Sequence, residues 1–260
     1  MVSFLRRPWP WLLLAGLVLF VGWVILEARR PSSDEIASLP ADQFGKRVHD
    51  YLLEHPEVIL ESVQRLQDQQ RAGAANQDQA AVASHADQLF RDLGTPVGGN
   101  PQGDVTLVEF FDYNCPYCRK VAPAMEEVER SDPSLRIVYK EFPILGPNSE
   151  FAARAALAAD RQGKYVALHK ALFASSGVVD EARVLAVASE LGIDVERLKA
   201  DMQDPAIAAA IARNLDLAQA LRITGTPGFV IGEQVFRGAA ETATLNSLIK
   251  RARIRGANGG

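Results

Sequence analysis

Cys115 and Cys118 are the only cysteines in 260 residues, and they stand two residues apart as Cys-Pro-Tyr-Cys. Residues 104–112 before them read as a strand, apolar on both faces except at Glu109, as a covered sheet requires. Asn114, Cys115 and Pro116 then open a helical pattern through Val121, Met125 and Val128. Proline suits the first helical turn, where its missing N–H would find no partner anyway. Cys115 is therefore placed at a helix N-terminus, where unpaired amides and the helix dipole favour a thiolate. Cys118 follows one turn later, within reach of a mixed disulfide on Cys115. Cys115 reads as the nucleophile and Cys118 as the resolving thiol of a redox pair. Two other readings compete. A zinc site would need two further ligands, and His49, His55, His85 and His169 show no matching pair spacing. An inert pair of buried thiols is the other.

The N-terminal segment sets the compartment. Residues 8–26 form 19 consecutive uncharged positions, about 28 Å as a helix against a ~30 Å hydrocarbon core. Trp9 and Trp11 mark one end and Trp23 the other, as interfacial anchors do. With Arg6 and Arg7 ahead of the block, the N-terminus stays cytoplasmic and the body is exported. Residues 1–30 read as a membrane anchor, with a cleaved signal peptide as the alternative. They hold four of the 28 basic and one of the 32 acidic side chains, so the remaining 230 residues carry a net charge of −7. Such an acidic body, without a Lys/Arg cluster, offers nucleic acid no electrostatic footprint.

Residues 31–93 read as a helical oligomerisation and stalk region. Phe44, Val48, Tyr51 and Leu52 mark one amphipathic helix, and Pro56 falls where a second can begin. Val58, Ile59, Val63 and Leu66 continue the apolar stripe, while residues 67–88 turn Gln/Ala-rich and read as an exposed helix. So short a stripe buries little unless it meets copies of itself, which favours a homo-oligomer over packing back on the rest of the chain.

Four segments resemble the DsbA-like thiol:disulfide oxidoreductases of the thioredoxin superfamily. They are residues 108–111, the Cys115–Cys118 turn, residues 139–143 and Thr224-Gly-Thr-Pro-Gly228. Residues 50–59 resemble the ScsC (suppressor of copper sensitivity) branch, whose N-terminal extension oligomerises the catalytic domain. The resemblance implies a thioredoxin α/β fold over residues 94–260 with no cofactor. It makes Pro227 a cis proline facing the cysteines and frees the backbone of Thr226 to pair with substrate. Pro116 and Tyr117 border that substrate site, and Glu109 becomes a buried acid serving the resolving thiol, with Lys140 as its partner. It also implies exported client proteins with thiols or disulfides, a membrane redox partner and a periplasmic location. A trimer is the expected oligomer, with a dimer next. The dipeptide between the cysteines is Pro-Tyr rather than Pro-His, which leans toward the isomerase and glutaredoxin side of the superfamily. A net dithiol oxidase and a non-catalytic binding or metal-handling module are the alternatives.

Cys118 and Pro227 lie 109 residues apart, too far for a bare thioredoxin unit. Residues 148–222 account for the gap as a helical insertion, punctuated by Gly163, Gly177 and Gly192 and capped at Asp180 and Asp194. A hairpin turning at Gly232 and Glu233 and a last helix over 241–253 complete the reading, with residues 254–260 frayed.

Overall fold

The computed structural model describes residues 40–258. They fall into two compact units divided between Gln69 and Gln70. The proposed anchor, residues 1–30, lies outside the described residues. Among those described, no helix is long and apolar enough to cross a membrane.

The first unit contains α1 (Ala41–Glu54) and the start of α2 (Glu57–Ser84). His55 closes α1 by donating its N–H to the Tyr51 carbonyl, and Pro56 opens the next turn. The stripe expected from the sequence is present and uncovered: Phe44, Ile59, Val63 and Leu66 are each about half exposed.

In the second unit, β1 (Val97–Gly99), β2 (Val105–Phe111), β3 (Leu135–Glu141), β4 (Gly228–Ile231) and β5 (Gln234–Arg237) form one sheet in the order β1-β3-β2-β4-β5. Only the β2–β3 pair is parallel. It is joined by α3 (Pro116–Ser131), the crossover helix that carries the cysteines. Both sheet faces are covered. Leu107, Phe111, Ile137 and Tyr139 meet α3, the insertion helices and α9 (Thr242–Asn258) on one side. Val108, Phe110, Val138 and Val230 meet Val82, Leu89, Leu217 and Leu221 on the other.

The insertion is five helices: α4 (Pro147–Asp160), α5 (Tyr165–Ala174), α6 (Glu181–Glu190), α7 (Val195–Asp201) and α8 (Pro205–Ala220). Asp180 and Asp194 cap α6 and α7 through the amides of Arg183 and Arg197, as their positions predict. The hairpin turns at Gly232, whose φ of 57° suits a residue without a Cβ.

Two boundaries differ from the sequence reading. The sheet-containing unit begins at Gln70 rather than at residue 94, and Val82 and Leu89 within it are buried against the sheet. The helix is exposed as expected only as far as Gln77; from Asp78 its C-terminal end packs on that unit, with a π-helical turn at Asp87–Arg91 behind it. The last helix also runs on to Asn258, braced by Arg253, which pairs with Asp104 and Asp132.

Candidate active site

Cys115 is the N-cap of α3, and Pro116 occupies the first helical turn. The Cys115 amide donates to the Asp112 carbonyl at 3.0 Å. The Asp112 carboxylate holds the whole turn: it accepts from the amides of Asn114, Ile144 and Leu145 and from the Ser149 hydroxyl, at 2.7–3.0 Å. Asn114 in turn clasps the backbone of Val179 through both its amide oxygen and its nitrogen. The strand end, the β3–α4 loop and the insertion thus converge behind the cysteines. The sequence places Asp112 only at the strand end and Asn114 only at the helix start, and gives neither a role in holding the turn; a polar pair ending an apolar strand is the available signal.

Both cysteines are free and buried. The Cys115 thiol donates to the Thr226 carbonyl at 3.3 Å. The Thr226–Pro227 peptide is cis. Pro227 accepts from the Gly238 amide at 2.9 Å. A Cβ at Gly228 would sit 2.6 Å from Ile223 Cγ2, so any larger residue here would force Ile223 to shift. Tyr117 projects outward beside the cysteines, 62% exposed. The Cys115–Cys118 turn, with Pro116 and Tyr117 between its thiols, therefore stands against the cis Thr226–Pro227 peptide.

Glu109 lies beneath them at 3% exposure. Burial pushes its carboxyl up to about 8. Burial likewise drives the Cys118 thiol far above its ordinary range, and negative charge on Glu109 or Cys115 adds to that rise. A narrow cleft bordered by Ala122, Met125, Glu126, Glu129 and Lys170 reaches Glu109.

Lys140 is not the partner of Glu109. In the parallel ladder Glu109 lies opposite Tyr139, and Lys140 lies opposite Phe110. Successive side chains alternate across a strand, so Lys140 projects from the opposite sheet face. There it donates to the Thr95 hydroxyl at 2.8 Å and pairs with Asp92 at 3.4 Å. Burial lowers its pKa, and Asp92 partly offsets that. It is a buried fastening for the chain entering the sheet.

The residue beside it carries a cluster that sequence reasoning missed. Fully buried Glu141 accepts from Tyr113 at 3.0 Å and from Tyr165 at 2.7 Å, and Tyr113 meets His169 Nδ1 at 3.2 Å. Burial raises the Glu141 carboxyl, with the Tyr165 and Tyr113 hydroxyls opposing that rise, and lowers His169 to about 3, so the imidazole is neutral near pH 7. Among the described residues, no group of three or more His, Cys, Asp or Glu side chains is placed to hold a metal ion.

A parallel crossover carrying a Cys-x-x-Cys helix N-terminus, faced by a cis proline, defines a thioredoxin-fold protein with a dithiol site. Residues 106–250 match the DSBA-like thioredoxin domain, and the chain belongs to that family of thiol:disulfide oxidoreductases. Residues 42–72 match the copper resistance protein ScsC N-terminal domain.

Among solved structures, a thioredoxin-like oxidoreductase from Silicibacter pomeroyi DSS-3 is 50% identical, with a TM-score of 0.64 over 65% of this chain and 97% of that one. Proteus mirabilis ScsC in a transitional conformation is 29% identical, with a TM-score of 0.63 over 84% and 99% of the two chains. The Na(+)/H(+) antiporter NhaA 1 of Salinispora arenicola is 31% identical over 158 residues, 60% of this chain. The chain spans about a quarter of the length of the curated relatives it matches.

Proposed function

We propose that this chain is an exported, oligomeric thiol:disulfide interchange protein that isomerises or reduces disulfides in client proteins. The observation that carries the reading is the Cys115 thiol set 3.3 Å from the Thr226 carbonyl, at a helix N-terminus and against cis-Pro227. An extended client segment pairs with the Thr226 backbone, and Pro116 and Tyr117 border it. The Cys115 thiolate attacks one sulfur of the client disulfide, and the other client sulfur leaves as a thiolate. In isomerisation a client thiolate then attacks the mixed disulfide, Cys115 leaves, and no net electrons move. In reduction Cys118 gives its proton to Glu109 and attacks Cys115, releasing the second client thiol. The chain is thereby oxidised by two electrons to the Cys115–Cys118 disulfide, and the client is reduced by two. With its carboxyl near 8, roughly a tenth of Glu109 is ionised at pH 7, enough to receive that proton. Turnover then requires a membrane redox partner to restore the dithiol.

The exposed stripe over α1 and α2, with its ScsC match, supports self-association, most simply as a trimer and next as a dimer. Several active sites held together raise the effective concentration of reduced Cys115 around a trapped client. Residues 1–30 would hold the assembly at the membrane with its body in the periplasm, or be cleaved to release it. Scrambled- and reduced-ribonuclease assays on the full chain and on Cys115→Ser test the reading. Recovery of activity from scrambled substrate, lost in Cys115→Ser, is the expected result. Activity on reduced substrate alone would instead indicate a net dithiol oxidase. Function retained without Cys115 would indicate a binding module.

A further inference from the structure

The loop that presents Thr226 is braced from outside the site by a side chain the proposed reaction does not use. Arg237 ends β5, opposite Gly228, and the Gly238 amide that follows it donates to Pro227. The Arg237 guanidinium donates Nε to the Arg222 carbonyl at 2.9 Å and Nη2 to the Leu221 carbonyl at 2.7 Å. Its fork also grips the Asp78 carboxylate at 2.9 and 3.0 Å. Arg222 reaches the same carboxylate at 2.7 Å and bonds Gln77 as well. Arg222 stands at φ 55°, in the left-handed region that a side chain disfavours, so this backbone requires support from its surroundings. One turn beyond Asp78, Val82 packs in the same cluster as Leu221 and Ile223. Thr224, Gly225 and Thr226 alone then separate the anchored segment from cis-Pro227.

We infer that Asp78 is a positioning residue for the substrate-presenting loop: through Arg222 and Arg237 it sets where the Thr226 backbone stands relative to Cys115. The inference rests on the proposed exchange reaction. Asp78 is largely shielded, 13% exposed, and hydrogen bonding from Arg237 holds its carboxyl below the ordinary range, so it is a charged acceptor shared by two cations. Without that charge, two neighbouring guanidiniums face each other and the backbone at 221–222 loses its fixed register. A client that pairs with Thr226 over several backbone atoms depends on that register. A small disulfide that meets only the Cys115 sulfur does not.

The test uses the full chain and its Asp78→Asn variant, which keeps side-chain size and removes the charge. Asp104→Asn, at the Arg253 ion pair elsewhere on the unit, controls for loss of a surface bridge as such. With an extended peptide disulfide, Asp78→Asn is expected to raise KM about tenfold. With hydroxyethyl disulfide its rate should stay within about twofold of the parent, and Asp104→Asn should match the parent on both substrates. Hydrogen exchange read independently of activity should quicken at Thr224, Gly225 and Thr226 in Asp78→Asn only. Unchanged exchange at those amides, or equal losses on the two substrates, overturns the inference. If the parent chain exchanges neither disulfide, the proposed reaction fails, while the exchange data still decide whether Asp78 holds the loop.

Discussion

Replacing Glu109 by glutamine keeps the side chain's shape and removes its titrating proton, which isolates what burial does to this carboxyl. Burial raises it from an ordinary 4.5 to about 8. Between those two values the folded chain keeps a proton that the unfolded chain has released. The folded state then binds more protons, so stability falls as pH rises across this window and levels off above it. At about 1.4 kcal/mol per pH unit, the parent chain should lose roughly 3–4 kcal/mol between pH 5 and 8 through this group alone. Other titrating groups are common to both chains and cancel in the comparison. Urea unfolding under reducing conditions, repeated across that pH range, measures the difference directly. The Glu109→Gln curve should be flatter across that range, whatever its absolute stability at pH 5. Parallel curves would refute the buried, proton-holding carboxyl and the relay built on it. In quenched-flow assays the same variant should form mixed disulfides on Cys115 at the parent rate and release them through Cys118 more slowly.

Lys140→Met should cost about 1–2 kcal/mol in urea unfolding, because it strips Asp92 and Thr95 of a donor, and should leave Cys118-driven release unchanged. His169 works opposite to Glu109: its folded value near 3 lies below the unfolded one, so stability is lost as pH falls below about 6.5. His169→Phe should therefore be relatively stabilised by roughly 2 kcal/mol between pH 6 and 4.5, read by the same unfolding series. Cys118→Ser should accumulate a mixed disulfide on Cys115 that intact-mass spectrometry detects, whereas Cys115→Ser should accumulate none. Val63→Asp with Leu66→Asp should abolish the proposed self-association and leave a monomer in light scattering, and a chain that stays assembled would remove the stripe from the interface.

Much of the site was legible because its signals are local. A strand run into Cys-Pro-Tyr-Cys, the Asp180 and Asp194 caps, the glycine stops and the Gly232 turn each depend on the conformational preferences of a few consecutive residues. The resemblance carried by Thr226 and Pro227 then joined the two distant halves. Other features depend on which residues meet across the chain. Lys140 parts from Glu109 because the β2–β3 register sets Glu109 against Tyr139, a one-residue difference that alternation turns into opposite faces. Val82 and Leu89 look sparse in a polar helix, yet the sheet face they meet buries them and moves the unit's boundary to Gln70. Asp78 finds Arg222 and Arg237 across about 150 residues of chain. Propensity and spacing act over a few residues, whereas register and long-range charge pairing exist only once the sheet has formed. The sequence by itself thus determined the dithiol, its helix and the insertion around it, and the tertiary structure decided which charged residue lies beneath that dithiol and which fastens the fold.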